Sequence, residues 1–289
     1  MFKKSIYLLS ICTALFSPYS SAKLDYDNTF NIIISEKVKN DYLLFLNGRD
    51  PLNINDFSGL YSGRDVVETI LVQQALFFGG NRQSYNLITS DSSLQTIERL
   101  YDGSALISGT SVWQSKFVEQ DNIYFSLPVI NNGQFESAIY THPENAAMLA
   151  VDDIQKLRQR RAISNKNWNI NWYTLQSLNV AKVWHAEEFP SMVAMVNNHQ
   201  ADFLIAPFQS TEDLSLVLNN IRLVPVPNVK VALRGSRHFA ISKNSKQSKV
   251  ILQQLNRGLY LLKSQGIIKQ AYEQSGFFNT EVKDWKRLN

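Results

Sequence analysis

YNLITSDSSLQTIERLYDGSALISGTSVW, residues 85–113, runs from a strand through a capped helix to a second strand and a small-residue turn. Tyr85 to Thr89 is a short apolar run of strand type. Ser92 follows as a helix cap, with Gln95 three residues on to complete a capping box. Leu94, Ile97, Leu100 and Tyr101 then share one helical face, and Gly103 stops the helix. Ala105 to Ser108 is a second buried strand, and it runs into the small-residue turn Ser108-Gly109-Thr110-Ser111. Working outward, Phe30 to Ile34 reads as an earlier buried strand. After a long polar loop, Arg64 to Phe78 has helical spacing through Val67, Ile70, Leu71 and Phe78 before Gly79-Gly80. The order is β-α-β-α-β, which predicts a parallel sheet with helices on its faces.

The alternation resumes further on. Short helices are expected over 152–159 and 171–178, a helix opened by Pro190 through Met192, Val193 and Val196, and one through Leu214 and Leu218. Strands are expected over 161–164, 180–184 and 202–206 and through Val224. The last third turns helical: Ile251, Leu255, Leu259 and Leu262 line one face, Gly266 interrupts, and Ile268 and Tyr272 mark a final helix ending at Gly276. There is no linker rich in Pro, Gly or Ser and no repeat, so two similar α/β units joined by extended strands are expected rather than two separate beads.

The N-terminus reads as an export signal. Lys3 and Lys4 precede the apolar run Ile6 to Phe16, and Ser20-Ser21-Ala22 offers small residues for cleavage. The single cysteine, Cys12, lies inside this segment, and Ile11 before it does not fit a lipidation site. The mature chain then has neither disulfide nor thiol chemistry. Without Lys3 and Lys4 the formal charge falls from +4 to +2, which leaves little to argue for nucleic acid. His142, His185, His199 and His238 have no metal-ligand spacing, and neither a G-x-S-x-G elbow nor a phosphate loop appears. No metal, cofactor or catalytic set is expected, and a binding role is favoured over an enzymatic one.

Several segments resemble the extracellular solute-binding proteins of family 3, the amino-acid-binding type. Gly63-Arg64-Asp65-Val66-Val67 is similar to the opening of the family's first helix. Leu100 to Thr110 resembles the helix end and strand that lead to its ligand turn, and Ser108-Gly109-Thr110-Ser111 resembles the turn itself. Phe125-Ser126-Leu127-Pro128-Val129, Val196 to Ile205 with Asp202, and Leu255-Asn256-Arg257-Gly258-Leu259 through Gly266-Ile267-Ile268 resemble later signatures in the same order. The resemblance implies two α/β lobes of periplasmic-binding-protein type joined by two hinge crossovers. Residues 23–135 and 238–289 would form lobe 1 and 136–237 lobe 2. It implies a monomer in the periplasm that closes on a small molecule. The closed form would meet the permease of an ABC importer or a membrane sensor such as a kinase or cyclase. A few enzymes, dehydratases among them, share the fold.

For the site, a turn of successive amides and hydroxyls at Ser108, Gly109, Thr110 and Ser111 is able to hold an anion, and it also reads as an ordinary strand-to-loop turn. By the resemblance, Lys116 stands where amino-acid binders carry an arginine clamp, and a point charge replaces a bidentate fork. Ala206-Pro207-Phe208-Gln209 carries no acidic partner for a ligand ammonium, which would be costly to bury alone. Ser164-Asn165-Lys166-Asn167-Trp168 replaces the family's glycine- and threonine-rich anion turn. Trp113, Trp168, Trp172 and Phe208 are candidate stacking walls or core residues. Asn165 and Glu36, with Lys37, complete the candidate rim, while Asp202 is expected to be structural. The ligand expected is polar or aromatic rather than a free amino acid.

Overall fold

The computed structural model describes residues 29–117 and 121–289. The expected export signal, with Cys12, lies outside the described residues. The first sheet has the strand order Tyr85–Ser90, Phe30–Ser35, Ile107–Ser108, Ala240–Ser242, Ile123–Phe125. Its first three strands are parallel, with Ile32 opposite both Leu87 and Ile107, as the strand–helix alternation predicts. Ala240–Ser242 is inserted antiparallel between Ile107–Ser108 and Ile123–Phe125, so the chain returns to this sheet after building the second.

The second sheet has the order Leu216–Leu218, Ile221–Pro225, Glu136–Thr141, Phe203–Ala206, Arg161–Ser164, Lys182–His185. Arg161–Ser164 is parallel to both its neighbours, while Glu136–Thr141 is antiparallel to Phe203–Ala206. Asp202 is structural, as expected. Its carboxylate accepts from the Arg161 amide at 2.7 Å and from the Arg161 guanidinium at 2.8 and 3.1 Å, pinning the starts of two adjacent strands.

Two connecting segments run side by side between the sheets. The Val129 amide donates to Arg237 at 2.9 Å, Gly133 to Leu233 at 3.1 Å and Leu233 to Phe135 at 2.8 Å. A third connection was not expected. After the helix Ile267–Gln274, the chain leaves the first sheet's helices, and Lys286–Arg287 pairs in parallel with Val229–Lys230 of the second sheet. The Asn289 side chain both donates to and accepts from the backbone of Ala232, at 3.0 and 2.8 Å. The stretch 280–289, which the resemblance assigned to lobe 1, therefore makes its sheet contacts with the other lobe.

Two elements differ from the sequence reading. The polar loop expected after Ile34 contains the helix Glu36–Leu46, capped by Ser35 and buried through Val38, Tyr42, Phe45 and Leu46. The helix expected through Leu214 and Leu218 is instead a hairpin, Leu216–Leu218 with Ile221–Pro225. Asn219 and Asn220 take φ of 50° and 62°, and two successive left-handed residues make the turn that matches strand twist. Among the described residues no helix is long and apolar enough to cross a membrane.

Candidate functional site

The turn after Ile107–Ser108 is built into the first sheet. Gly109 donates to the Ile33 carbonyl at 2.7 Å, and a Cβ on it would lie 2.3 Å from Ile34 Cγ2. Only glycine lets the turn lie this close to the first strand. The Ser108 hydroxyl accepts from the Ala240 amide at 2.8 Å, tying the returning strand in place.

The turn's anion-holding groups are already filled from inside the protein, and here the structure departs from the expectation for Ser111. Glu68, wholly buried on the helix Arg64–Phe78, accepts from the Ser111 amide at 2.7 Å and from the Ser111 hydroxyl at 2.6 Å. Tyr272 donates to the same carboxylate at 2.9 Å, and the Arg64 guanidinium lies 4.0 Å away. Burial and the Glu68 charge hold the Tyr272 phenol far above its usual range, so it remains a donor. Arg237 donates to the Ser111 hydroxyl at 2.9 Å and to the Ser111 carbonyl, with its guanidinium 4.8 Å over the Trp113 ring. Burial pulls the Arg237 guanidinium down to about 10, and Arg64 adds to that, while Glu68 opposes it. Ser108 and Ser111 are therefore committed to the fold. An internal carboxylate occupies the position where a ligand anion was expected.

An open cavity lies one step outward from the turn. A cavity of about 280 Å³ is lined by Trp113, Ser115 and Lys116 from the first lobe and by Asn167, Trp168, Asn169, Ile170 and Asn171 from the second. Of the candidate residues, the structure brings Trp113, Lys116 and Trp168 together here. Trp168 is 40 % exposed and caps the start of the helix Asn169–Ser177 without a side-chain cap bond. Its ring centroid is 6.0 Å from that of Phe189, which holds one side of the indole. Lys116 reaches solvent, yet desolvation and then the nearby Arg237 and Arg64 hold its ammonium below the usual lysine range.

The remaining candidates are placed elsewhere. The Asn165 side chain is buried in its own turn, donating to Glu187 at 2.6 Å and accepting from Asn167 at 2.7 Å. Phe208 packs edge-on to Trp285 at 5.5 Å and lines a separate cavity of about 440 Å³ with Glu273, Phe278 and Glu281. Glu36 is exposed on the first turn of its helix, and neither it nor Thr110 lines the cavity. Trp172 meets His185 edge-on at 6.3 Å. Sequence reasoning missed Glu68, Arg237 and Tyr272. The one available signal was Glu68, a glutamate among the apolar residues of its helix.

No family model matches the sequence, and no curated protein matches it either. Solved structures do match. The periplasmic VFT2 domain of BvgS from Bordetella pertussis aligns at 17 % identity over 85 % of this chain and 93 % of its own, with a TM-score of 0.53. The second substrate-binding domain of a protein assigned as an amino acid ABC transporter from Streptococcus pneumoniae aligns at 13 % identity over 86 % of this chain and 99 % of its own, also with a TM-score of 0.53. At such identities the likeness is one of fold. With its two α/β sheets, paired connecting segments and interlobe cavity, the chain has the two-lobed, periplasmic-binding-protein-like fold.

Proposed function

We propose that this protein is an exported binding protein that captures a small molecule between its lobes, without covalent chemistry, and presents the closed form to a membrane partner. The observation that carries this reading is the cavity whose walls come from both lobes, Trp113 and Lys116 facing Trp168 and its neighbours. A ligand touching both walls favours the closed arrangement by its differential contacts. The lobes of the proposal are residues 23–135 with 238–279, and 136–237 with the terminal stretch. The protein works as a periplasmic monomer, and its first partner is the permease of an ABC importer.

A sensing role is the second reading. Its support is that the same fold serves the BvgS periplasmic domain as well as a transporter's binding domain. Permease and ATPase genes beside this one favour import, whereas a kinase or cyclase neighbour favours sensing. The binding reading itself is tested by thermal-shift screening against amino acids, amines, organic acids and short peptides, since a ligand stabilises the folded state by mass action. At least one class should raise the midpoint for the wild type, and Trp113→Ala with Trp168→Ala should remove that rise. A flat response to every class, or a rise unchanged in the double variant, rejects this cavity as the site.

A further inference from the structure

The charge around the interlobe cavity carries an inference about what it holds, one that rests on the binding reading above. Among the described residues its lining contains one cation, two tryptophans, polar neutral groups and Ile170, and no carboxylate. The nearest buried carboxylate, Glu68, has its oxygens committed to Ser111 and Tyr272 and faces Arg64. Behind the Lys116 wall stand the Arg64 and Arg237 guanidinium groups, and Lys116 forms no ion pair among the described residues. The Ser115 hydroxyl, on the same wall, is shielded from solvent and has no hydrogen-bond partner among the described residues. The adjoining cavity shares Ser115 and Ile170 and carries Asp121 against two cations, Arg234 and Lys243. An ammonium placed between the tryptophans would meet the Lys116 charge and, among the described residues lining this cavity, no counter-charge. A carboxylate there would find the Lys116 ammonium.

The shape of the cavity narrows the class further. Trp113 has the Arg237 guanidinium 4.8 Å over its ring, which fixes the indole in place. Trp168 stands across the cavity with its ring exposed and backed by Phe189. Two fixed indoles from opposite lobes, around a space of about 280 Å³, suit one flat ring better than a flexible chain.

We infer that the cavity takes a small planar organic anion, a ring bearing a carboxylate and no amino group, with Lys116 holding the carboxylate and Trp113 and Trp168 enclosing the ring. The turn at Ser108–Ser111 takes no part in ligand contact and serves to hold Trp113 and Lys116 in position.

The test is a tryptophan-fluorescence titration of the purified protein with benzoate and indole-3-acetate, alongside tryptamine, L-tryptophan and L-glutamine. The expected result is saturable quenching by at least one ring carboxylate and none by tryptamine. Lys116→Gln should weaken the carboxylate by about tenfold or more, the usual loss of a charge-assisted contact. Trp168→Phe, which keeps a flat wall, should retain binding, and Trp168→Ala should lose it. Saturable binding of the amino acids with neither carboxylate bound overturns the anion assignment and leaves the binding reading standing. Carboxylate binding untouched by Lys116→Gln overturns the assigned grip. If nothing on the panel binds, the anion assignment falls, and the wider thermal-shift screen decides whether the binding reading falls with it.

Discussion

At Glu68 a single carboxylate holds together the helix Arg64–Phe78, the turn at Ser111 and the helix bearing Tyr272. Removing it takes from the buried Arg237 guanidinium the Glu68 charge that offsets it, leaves Arg64 with Asp65 alone, and orphans the Ser111 amide. Glu68→Ala is expected to lose about 3–5 kcal/mol in urea denaturation, the cost of breaking a buried ionic network. Glu68→Gln keeps the shape and should lose less. A loss under about 1 kcal/mol for Glu68→Ala would mean that the network contributes little. His238 makes stability depend on pH in the weakly acidic range. The Ser126 carbonyl can only accept, so Nδ1 carries the proton at 2.7 Å, and Nε2 accepts from the Ser236 hydroxyl at 2.8 Å. Burial pulls its pKa below the ordinary value of about 6.5, against the pull of the Ser126 bond. The unfolded chain then binds the proton first. Stability contributed by neutral His238 is complete above about 6.5 and is lost as pH falls through the lower folded value. The fall in thermal midpoint over that window should flatten in His238→Gln, and an unchanged slope would place the titration elsewhere.

Among the elements, the pair formed by Arg64–Phe78 and Ser248–Ser264 shows most directly how residue size sets packing. A Cβ on Gly258 would lie 1.7 Å from the Ala75 carbonyl oxygen, and one on Gly79 would lie 1.8 Å from that of Gln254. The two helices cross with backbones touching, so Gly258→Ala must push them apart. We expect a loss of about 3 kcal/mol on unfolding, at the upper end of what overpacking costs, with circular dichroism showing the helices retained. The same element scale shows what was legible beforehand. The helix Arg64–Phe78 and the strand Arg161–Ser164 have their expected bounds because apolar spacing and caps agree there. The helix Glu36–Leu46 escaped notice because Lys37, Lys39, Asn40 and Asp41 crowd the intervals between its buried residues. The hairpin at Asn219-Asn220 escaped because Leu214 and Leu218 happen to stand at helical spacing, while turn chemistry decides the chain's course.

At the scale of the whole molecule, the two lobes are joined by three connections. Phe277 stacks on Phe135 of a connecting segment at 4.6 Å, Trp285 meets Phe208, and Lys286 and Leu288 donate to Asn228 and Lys230 at 2.8 and 2.9 Å. The buried Lys230 ammonium donates in turn to the carbonyls of Val282 and Lys283 and pairs with Glu136 at 2.7 Å. Such a strap limits how far the lobes separate. Truncation after Asp284 removes several of these bonds, each worth about 1 kcal/mol, and should lower the thermal midpoint by roughly 5–10 °C. It should also widen the small-angle scattering radius of the unliganded protein. An unchanged radius would show that the two connecting segments alone set the opening.

The α/β alternation, the parallel order of the first three strands, the structural role of Asp202 and the tryptophans beside strand ends are legible in the residues alone. Each of these follows from local periodicity, capping and turn chemistry, which act over a few residues. What the Ser108–Ser111 turn holds depends on long-range packing. Its partner Glu68 lies forty-three positions earlier, Arg237 one hundred and twenty-six positions later than Ser111, and Tyr272 two hundred and four beyond Glu68. No local pattern encodes a buried carboxylate whose compensating donors come from segments so far apart. The same separation moved the candidate site outward to Trp113, Lys116 and Trp168, which meet only when the second lobe is folded against the first.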